Sequence, residues 1–188
     1  MLAQFKRHLR SARQYVRRLR GRLSPTQRVL ARLNREFGGV VVARGPFRGL
    51  DYGDVAAHGS ALFPKLVGSY EQELHPVIEA IVDLAPEQII DVGAAEGFYA
   101  VGLATRLQGA EVLAFETEGD ARQSLKQLAE RNGVADRVRL EGHCGPTELA
   151  ESLSPGAVLV CDCEGGEYEL RERQHLNLMR VAEAILED

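Results

Sequence analysis

The sequence predicts an α/β three-layer sandwich with a mostly parallel sheet, preceded by a basic helical N-terminal arm. Three observations predict it: charge is segregated along the chain, short apolar runs alternate with amphipathic segments after Tyr70, and a small-residue loop follows the first such run. Strict alternation of strands and helices implies right-handed crossovers and a parallel sheet that is covered on both faces.

The predicted arm spans residues 1–38, and the predicted α/β domain spans residues 39–188. The arm carries 11 Lys and Arg against one acid, whereas the remainder carries 12 basic and 26 acidic residues. Apolar residues recur at spacings of three and four in residues 2–23, which predicts an amphipathic helix, and Ser24-Pro25 begins a second helix. Such an arm can contact nucleic acid, an anionic membrane surface or the acidic domain itself, and the sequence does not choose among them.

Composition excludes several classes of protein. Apolar residues make up 45% and charged residues 27% of the chain, and no apolar stretch approaches the roughly 20 residues of a membrane-spanning helix. The three cysteines lack the spacing of zinc sites and predict neither a disulfide framework nor a metal site. Without a disulfide framework, we expect a reducing, cytoplasmic setting. Basic residues interrupt residues 1–23 every few positions, which argues against a cleavable secretory signal.

The elements follow in order along the domain. Residues 40–43 are a β-branched run that predicts a strand, and residues 45–49 predict a turn. Residues 54–69 read as loop. Beyond them we predict helices at 71–84, 98–107, 121–131, 146–153 and 167–179, strands at 88–92, 111–116, 137–140 and 157–163, and a last apolar run at 181–186.

The small-residue loop at residues 93–97 predicts a ligand-binding site. Its small residues allow close approach of the backbone to a ligand, and the helix that follows offers unpaired N–H groups. It lacks the G-x-G-x-x-G pattern of dinucleotide enzymes, and Glu96 is expected to disfavour a pyrophosphate there. Asp91, at the end of the preceding strand, instead suits a cationic ligand.

The pattern apolar-apolar-Asp-apolar-Gly-x-x-x-Gly over residues 89–97 resembles the first motif of class I S-adenosylmethionine-dependent methyltransferases, which have a Rossmann-like fold. Together with Gly68-Ser69-Tyr70-Glu71 and Asp162-x-Glu164-Gly165-x-Glu167, it is similar to the FkbM-like branch. The resemblance implies that Glu116 holds the ribose hydroxyls and that His143 lies near adenine. The cofactor-binding residues it implies are Tyr70, Asp91, Gly93, Ala94, Ala95, Gly97, Phe98, Glu116, His143 and Asp162.

The branch mostly methylates hydroxyls, so the resemblance implies O-methylation of a sugar or another small molecule or natural product. Asp162 or Glu164 is then the candidate catalytic base, with His143 behind them, and two carboxylates alone are a weak metal signal. Cys161 and Cys163 are expected to share one face of a strand as buried apolar side chains.

Two alternatives stay open. The family has seven strands, and no sequence after Asp188 supplies the last two, so we expect a truncated gene product or a domain that a partner completes. Such a domain can be a cofactor-binding module without catalysis, and a homo-oligomer also stays open. The second alternative is a nucleic-acid methyltransferase that uses the basic arm, although an Asn-Pro-Pro-Tyr-like motif is missing after the fourth strand.

Overall fold

The computed structural model describes residues 39–163, together with Arg28, Ala31, Arg32, Arg35 and Leu170. The chain divides into two compact units, Met1–Gly39 and Val40–Asp188. The predictions for the helices of the arm, for residues 164–169 and for the segment 171–188 lie outside the described residues. Within the part that is described, no helix is long and apolar enough to cross a membrane.

The second unit alternates helices and strands as predicted from residue 75 onward. Its elements are α1 (Leu62–Val67), a 3-10 turn (Gln72–Leu74), α2 (His75–Leu84), β1 (Gln88–Val92), α3 (Phe98–Arg106), β2 (Glu111–Phe115), α4 (Gly119–Arg131), β3 (Val138–Glu141), α5 (Pro146–Ser152) and β4 (Val158–Cys161).

The four strands form one parallel sheet in the order β3-β2-β1-β4. The chain moves outward from β1 through β2 to β3 and then returns to the other side of β1. The order therefore reverses between β1 and β4, which is where ligands bind in open α/β sheets. Ile89 and Ile90 in the central strand are fully buried, as expected for a strand that is covered on both faces.

Alternate side chains of β1 pack against the helices on opposite faces of the sheet. Ile90 and Val92 pack in a cluster with Phe115, Leu149 of α5 and Leu170. On the other face, α3 contacts β1 and β2 and packs beside α4, and its side chains at residues 100, 101, 103 and 104 are fully buried. The predicted three-layer α/β arrangement with a parallel sheet is confirmed.

Three predictions before residue 75 are wrong. Residues 40–43 do not form a strand, because Gly45 and Pro46 reverse the chain at once and leave one antiparallel bridge, between Val41 and Asp51. The segment 54–69 is not all loop, since it contains α1. The helix predicted from residue 71 begins only at His75, and residues 71–74 lie before it. Pro76 occupies the first turn of the helix, and Glu71 has a φ of 43°, which is not helical.

The side chain of Asn132, at the C-terminal end of α4, holds the backbone of the segment before α1. The side-chain amide of Asn132 donates to the carbonyl of Asp51 at 3.0 Å, and its oxygen accepts the N–H of Asp51 at 2.9 Å. The neighbouring side chain, Tyr52, is fully buried. A segment without a regular strand is thus held in a fixed position against the domain.

Arg137 closes the C-terminal end of α3. Its guanidinium donates to the carbonyls of Ala104 and Leu107 at the end of the helix, and to that of Ala110 just before β2, at 2.7 to 3.0 Å. The last carbonyls of a helix have no intrahelical partners and need such donors. We expect Arg137→Ala to lower the free energy of unfolding by about 2 kcal/mol, measured by urea denaturation.

Arg139 is the matched control for this prediction, because it lies two residues away with its side chain 76% exposed in an ion pair with Glu141. Arg139→Ala should change stability by less than about 0.5 kcal/mol. Equal effects of the two substitutions would contradict the capping role of Arg137.

Candidate functional site

A cleft of about 640 Å³ lies along the edge where all four strands end. The volume is within the range of roughly 300 to 1,000 Å³ that is usual for small-molecule sites. Every strand contributes the residues that follow it, and the segment before α2 forms the remaining wall. The lining includes residues 93–95 after β1, 116–118 after β2, 142–146 after β3, Asp162 and Cys163 after β4, and His58, Gly59, Ser60, Lys65 and Tyr70.

Gly93 stands at the reversal point of the sheet and is required there. Its φ is +83°, and a Cβ at this position would lie 2.0 Å from the carbonyl oxygen of Asp162. The N–H groups of Gly93 and Ala94 both donate to the carbonyl of Phe115. The loop is therefore held between the ends of β2 and β4, and a side chain at residue 93 would force them apart.

Asp91 places a carboxyl group without a full set of partners in this cleft. The side chain is only 3% exposed, and among the described residues its Oδ2 has no hydrogen-bond partner. Burial raises the pKa of Asp91 to about 7, against the opposing effect of a hydrogen bond from the Ala100 backbone. A buried carboxylate needs a cation or a donor, so this atom marks the place for a positive or N–H-bearing ligand group.

Glu116, which follows β2, is also buried, and it organises the loop. Its Oε2 accepts the N–H of Ala95 at 2.7 Å, and its Oε1 accepts the N–H of Glu118 at 2.8 Å. Each carboxylate oxygen can accept a further bond. Glu116 thus presents two fixed acceptor oxygens at the cleft. Two neighbouring hydroxyl groups of a ligand could each donate a hydrogen bond to one of them.

Glu96 does not face the cleft, which corrects the expectation that its charge disfavours a pyrophosphate. The side chain is fully buried, accepts hydrogen bonds from the Tyr52 hydroxyl and the His58 N–H at 2.9 Å, and pairs with the Lys65 ammonium at 2.5 Å. Since Lys65 neutralises it behind the loop, Glu96 does not repel a ligand phosphate. It ties the segment before α1 to the glycine loop.

Lys65 is a site residue that the sequence patterns do not reveal. It is 3% exposed, lines the cleft, and carries its ammonium 4.8 Å from the Tyr70 ring centre and 5.0 Å from that of Phe98. Cation–π contacts at this distance help to hold a buried ammonium. The available signal was a lysine inside the apolar run Leu62-Phe63-Pro64-Lys65-Leu66-Val67, in a segment interpreted as loop.

Aromatic side chains form one wall of the cleft beside Lys65. Phe98 meets the rings of Tyr70 and Tyr99 edge to face, with centres 5.4 and 5.3 Å apart. Burial raises the pKa of Tyr70 to about 12, and a hydrogen bond to Glu71 acts in the same direction. The phenol therefore stays protonated at neutral pH and can donate a hydrogen bond.

The structure brings most of the predicted site residues into the cleft. Tyr70, Asp91, Gly93, Ala94, Ala95, Phe98, Glu116, His143 and Asp162 all line it. Both His143 and Asp162 are exposed there. Glu164 lies outside the described residues. Gly97 is not among the residues that line the cleft, and its cofactor-binding role stays a prediction. Its φ is +91°, and a Cβ there would lie 2.8 Å from Leu125 of α4, so packing also requires glycine at this position.

The two thiols at the end of β4 do share one face, as predicted. Cys161 and Cys163 are half-buried and pack against the apolar cluster around Ile90 and Leu149, together with Cys144. Cys163 also lines the cleft. Within the described part of the chain, no group of three or more potential ligand side chains could hold a metal ion.

Comparison with known proteins points to methyltransferases. The chain is similar to the release factor glutamine methyltransferase of Chlorobaculum tepidum, with 34% identity over 82 residues, which cover 44% of this chain and 24% of that protein. It thus spans about a quarter of the length of the curated relative it matches. No protein-family model matches the sequence.

Solved methyltransferase structures show partial likeness. The SAH-bound methyltransferase PaMTH1 of Podospora anserina is 20% identical, with a TM-score of 0.41 over 52% of this chain and 41% of its own. The C-terminal domain of precorrin-6Y C5,15-methyltransferase from Rhodobacter capsulatus is 19% identical, with a TM-score of 0.44 over 61% of this chain and 57% of its own.

Proposed function

We propose that the chain binds S-adenosylmethionine in this cleft and is an S-adenosylmethionine-dependent methyltransferase. The observation that carries the proposal is Asp91, a buried carboxylate with an unpartnered oxygen, among the described residues, at the reversal point of the sheet. The cofactor carries positive charge on its ammonium and its sulfonium. Similarity over 82 residues to a release factor glutamine methyltransferase supports the same class of reaction.

The residues present fit the parts of that cofactor. Asp91 would accept from the ammonium, and Lys65 would pair with the carboxylate, since both are buried and line the same cleft. Glu116 would accept from the ribose hydroxyls with its two fixed oxygens. His143 would lie beside adenine. The cofactor, once bound, supplies a methyl group that is activated by a positively charged sulfur.

The chain itself would supply alignment and a proton acceptor. A hydroxyl acceptor has to lose its proton as it is methylated, so a carboxylate at the end of β4 suits the reaction. Asp162 is our candidate, being exposed in the cleft next to the reversal point, with Glu164 and His143 as the other candidates. A methyl acceptor on the Tyr70 side of the cleft would meet Asp162 there.

We further propose that the acceptor is a small molecule with a hydroxyl group, such as a sugar, as in the FkbM-like branch. The cleft is lined by the carboxylates of Asp91, Glu116, Glu118, Asp120 and Asp162 against the single lysine among its described residues. This excess of negative charge favours neutral or cationic acceptors and disfavours the phosphates of nucleic acid. Contact of the basic arm with nucleic acid or an anionic membrane surface, and pairing with a second copy, are separate proposals to which this charge balance does not extend.

Titration calorimetry with S-adenosylmethionine, S-adenosylhomocysteine and NAD tests the proposed function. We expect micromolar binding of the two adenosyl ligands and no binding of NAD. Glu116→Ala should weaken binding of both ligands by at least about tenfold, because the ribose acceptor and the anchor of the Ala95 N–H are lost together.

Glu111→Ala is the matched control, since Glu111 is exposed at the opposite end of the same strand and should leave binding unchanged. Binding of NAD alone, or of none of the three ligands, would overturn the proposal.

A further inference from the structure

The end of β4 carries two thiols that flank a single residue of the cleft. Cys161 and Cys163 lie on either side of Asp162, and their sulfur atoms are 3.7 Å apart. We propose that these two cysteines are a modification site, at which a hydroperoxide oxidises them to a reversible disulfide that closes across Asp162 and alters the cleft.

The geometry favours this pair. A disulfide has a sulfur–sulfur distance of about 2.05 Å, so the two atoms need to approach by less than about 2 Å. Neither side chain is fully buried, and Cys163 lines the cleft, where a small oxidant can reach it. Cys163 is therefore the thiol that reacts first, and Cys161 is the neighbour that resolves the product.

The third cysteine of the apolar cluster is a poorer participant. Burial raises the pKa of Cys144 to about 11, and the nearby Glu148 acts in the same direction. Because the thiolate is the reactive form, Cys144 stays a thiol at neutral pH. The chain thus provides its own control within the same cluster.

The chemistry balances with the hydroperoxide as oxidant. The Cys163 thiolate attacks one peroxide oxygen, the O–O bond breaks, and the second oxygen leaves as water or an alcohol after taking a proton. The resulting sulfenic acid is attacked by the sulfur of Cys161, which forms the S–S bond and releases water. Two thiols are oxidised by two electrons, and the peroxide is reduced.

Formation of the disulfide would alter the cleft by moving Asp162, the residue between the two cysteines. The Asp162 N–H donates to the Val92 carbonyl at 2.9 Å, and the Asp162 carbonyl packs against Gly93, where there is no room for even a methyl group. Pulling the two flanking cysteines together displaces this peptide against the glycine loop. A disulfide across one intervening residue is also strained and therefore readily reduced, which makes the change reversible.

The experiment treats the purified chain with hydrogen peroxide and maps disulfides by mass spectrometry after the remaining thiols have been alkylated. We expect an intramolecular bond between Cys161 and Cys163 in the parent chain and in Cys144→Ser. We expect none in Cys161→Ser or Cys163→Ser. Dithiothreitol should restore both thiols.

A bond that requires Cys144, a bond between two chains, or oxidation of Cys163 beyond sulfenic acid in the parent chain would overturn the proposal. None of these outcomes depends on the proposed methyltransferase function. As a second readout, which does rest on that function, the oxidised chain should bind S-adenosylhomocysteine about tenfold more weakly than the reduced chain. Cys163→Ser should show no such difference after peroxide, and loss of the difference in the parent chain would refute the coupling to the cleft.

Discussion

Asp91→Asn is expected to raise the stability of the ligand-free chain at pH 8 while it weakens binding of S-adenosylmethionine by at least about a hundredfold. The reason is the isolation of the carboxyl group, which is 3% exposed and has one oxygen without a partner among the described residues. An amide fits this space without a charge, but it cannot compensate the positive charge of a ligand.

The raised pKa of Asp91 predicts that the stability of the parent chain falls as the pH rises. The pKa of Asp91 is about 7 in the folded chain, whereas an exposed aspartate in the unfolded chain has a pKa near about 3.9. Below about pH 4 both states hold the proton. As the pH rises toward 7, only the folded state keeps it, so stability falls by roughly 4 kcal/mol over this interval and then levels off.

Urea unfolding of the parent chain and of Asp91→Asn at pH 5 and pH 8 measures the effect. The parent should lose stability between the two values, and the variant should lose much less. Asp83→Asn, an exposed position on α2, should change stability by less than about 0.5 kcal/mol at either pH. A parent chain that gains stability from pH 5 to pH 8 through Asp91 would show that the carboxyl group is ionised and paired.

Lys65→Met should be the most destabilising single change in the wall of the cleft. It leaves the fully buried Glu96 carboxylate without its cation, and removal of one partner from a buried ion pair typically costs about 3 to 5 kcal/mol. The double variant Lys65→Met with Glu96→Gln should recover much of the loss. These two bonds reach different oxygens of Glu96, so the amide oxygen of the glutamine can accept from the His58 N–H while its NH₂ group donates to the Tyr52 hydroxyl oxygen.

The exposed pair between Arg131 and Asp51 provides the comparison, with side chains 41% and 37% accessible. Arg131→Met should cost no more than about 1 kcal/mol. Thermal and urea unfolding of all four proteins measures these differences. A double variant no more stable than Lys65→Met would contradict the explanation that the loss comes from a buried Glu96 carboxylate left without its cation.

The strands and the ends of the cleft can be predicted from the sequence because their signals are local. The largely apolar run Gln88–Val92 followed by glycine predicts a buried strand and a tight turn, and this pattern identifies Asp91 and Gly93. Glu116 is identified by its place at the end of the second strand, as the resemblance implies. Parallel strands share their carboxyl edge, so the sequence alone is enough to group the residues that follow four separate strands.

The remaining features depend on contacts between residues that are far apart in the sequence. A local sequence pattern does not predict such contacts. The β-branched run at residues 40–43 looks like a strand, yet only a partner strand could have made it one. Glu96 was assigned to the ligand side because nothing in its neighbourhood reveals that a lysine 31 residues earlier neutralises it. Gly97 matches a binding motif, and packing against Leu125, which the motif does not predict, also requires glycine there.

The hydrogen bonds that fasten residues 51–65 to the rest of the domain also bear on the order of folding. Tyr52 reaches Glu96 across 44 positions in sequence, and Asp51 reaches Asn132 across 81. Contacts of such separation close late, because the chain loses the most entropy in forming them. The pairs β1–β2 and β2–β3 join strands that are neighbours in sequence, so we expect them to form before these contacts. Residues 51–65 would then complete one wall of the cleft after that part of the sheet has formed.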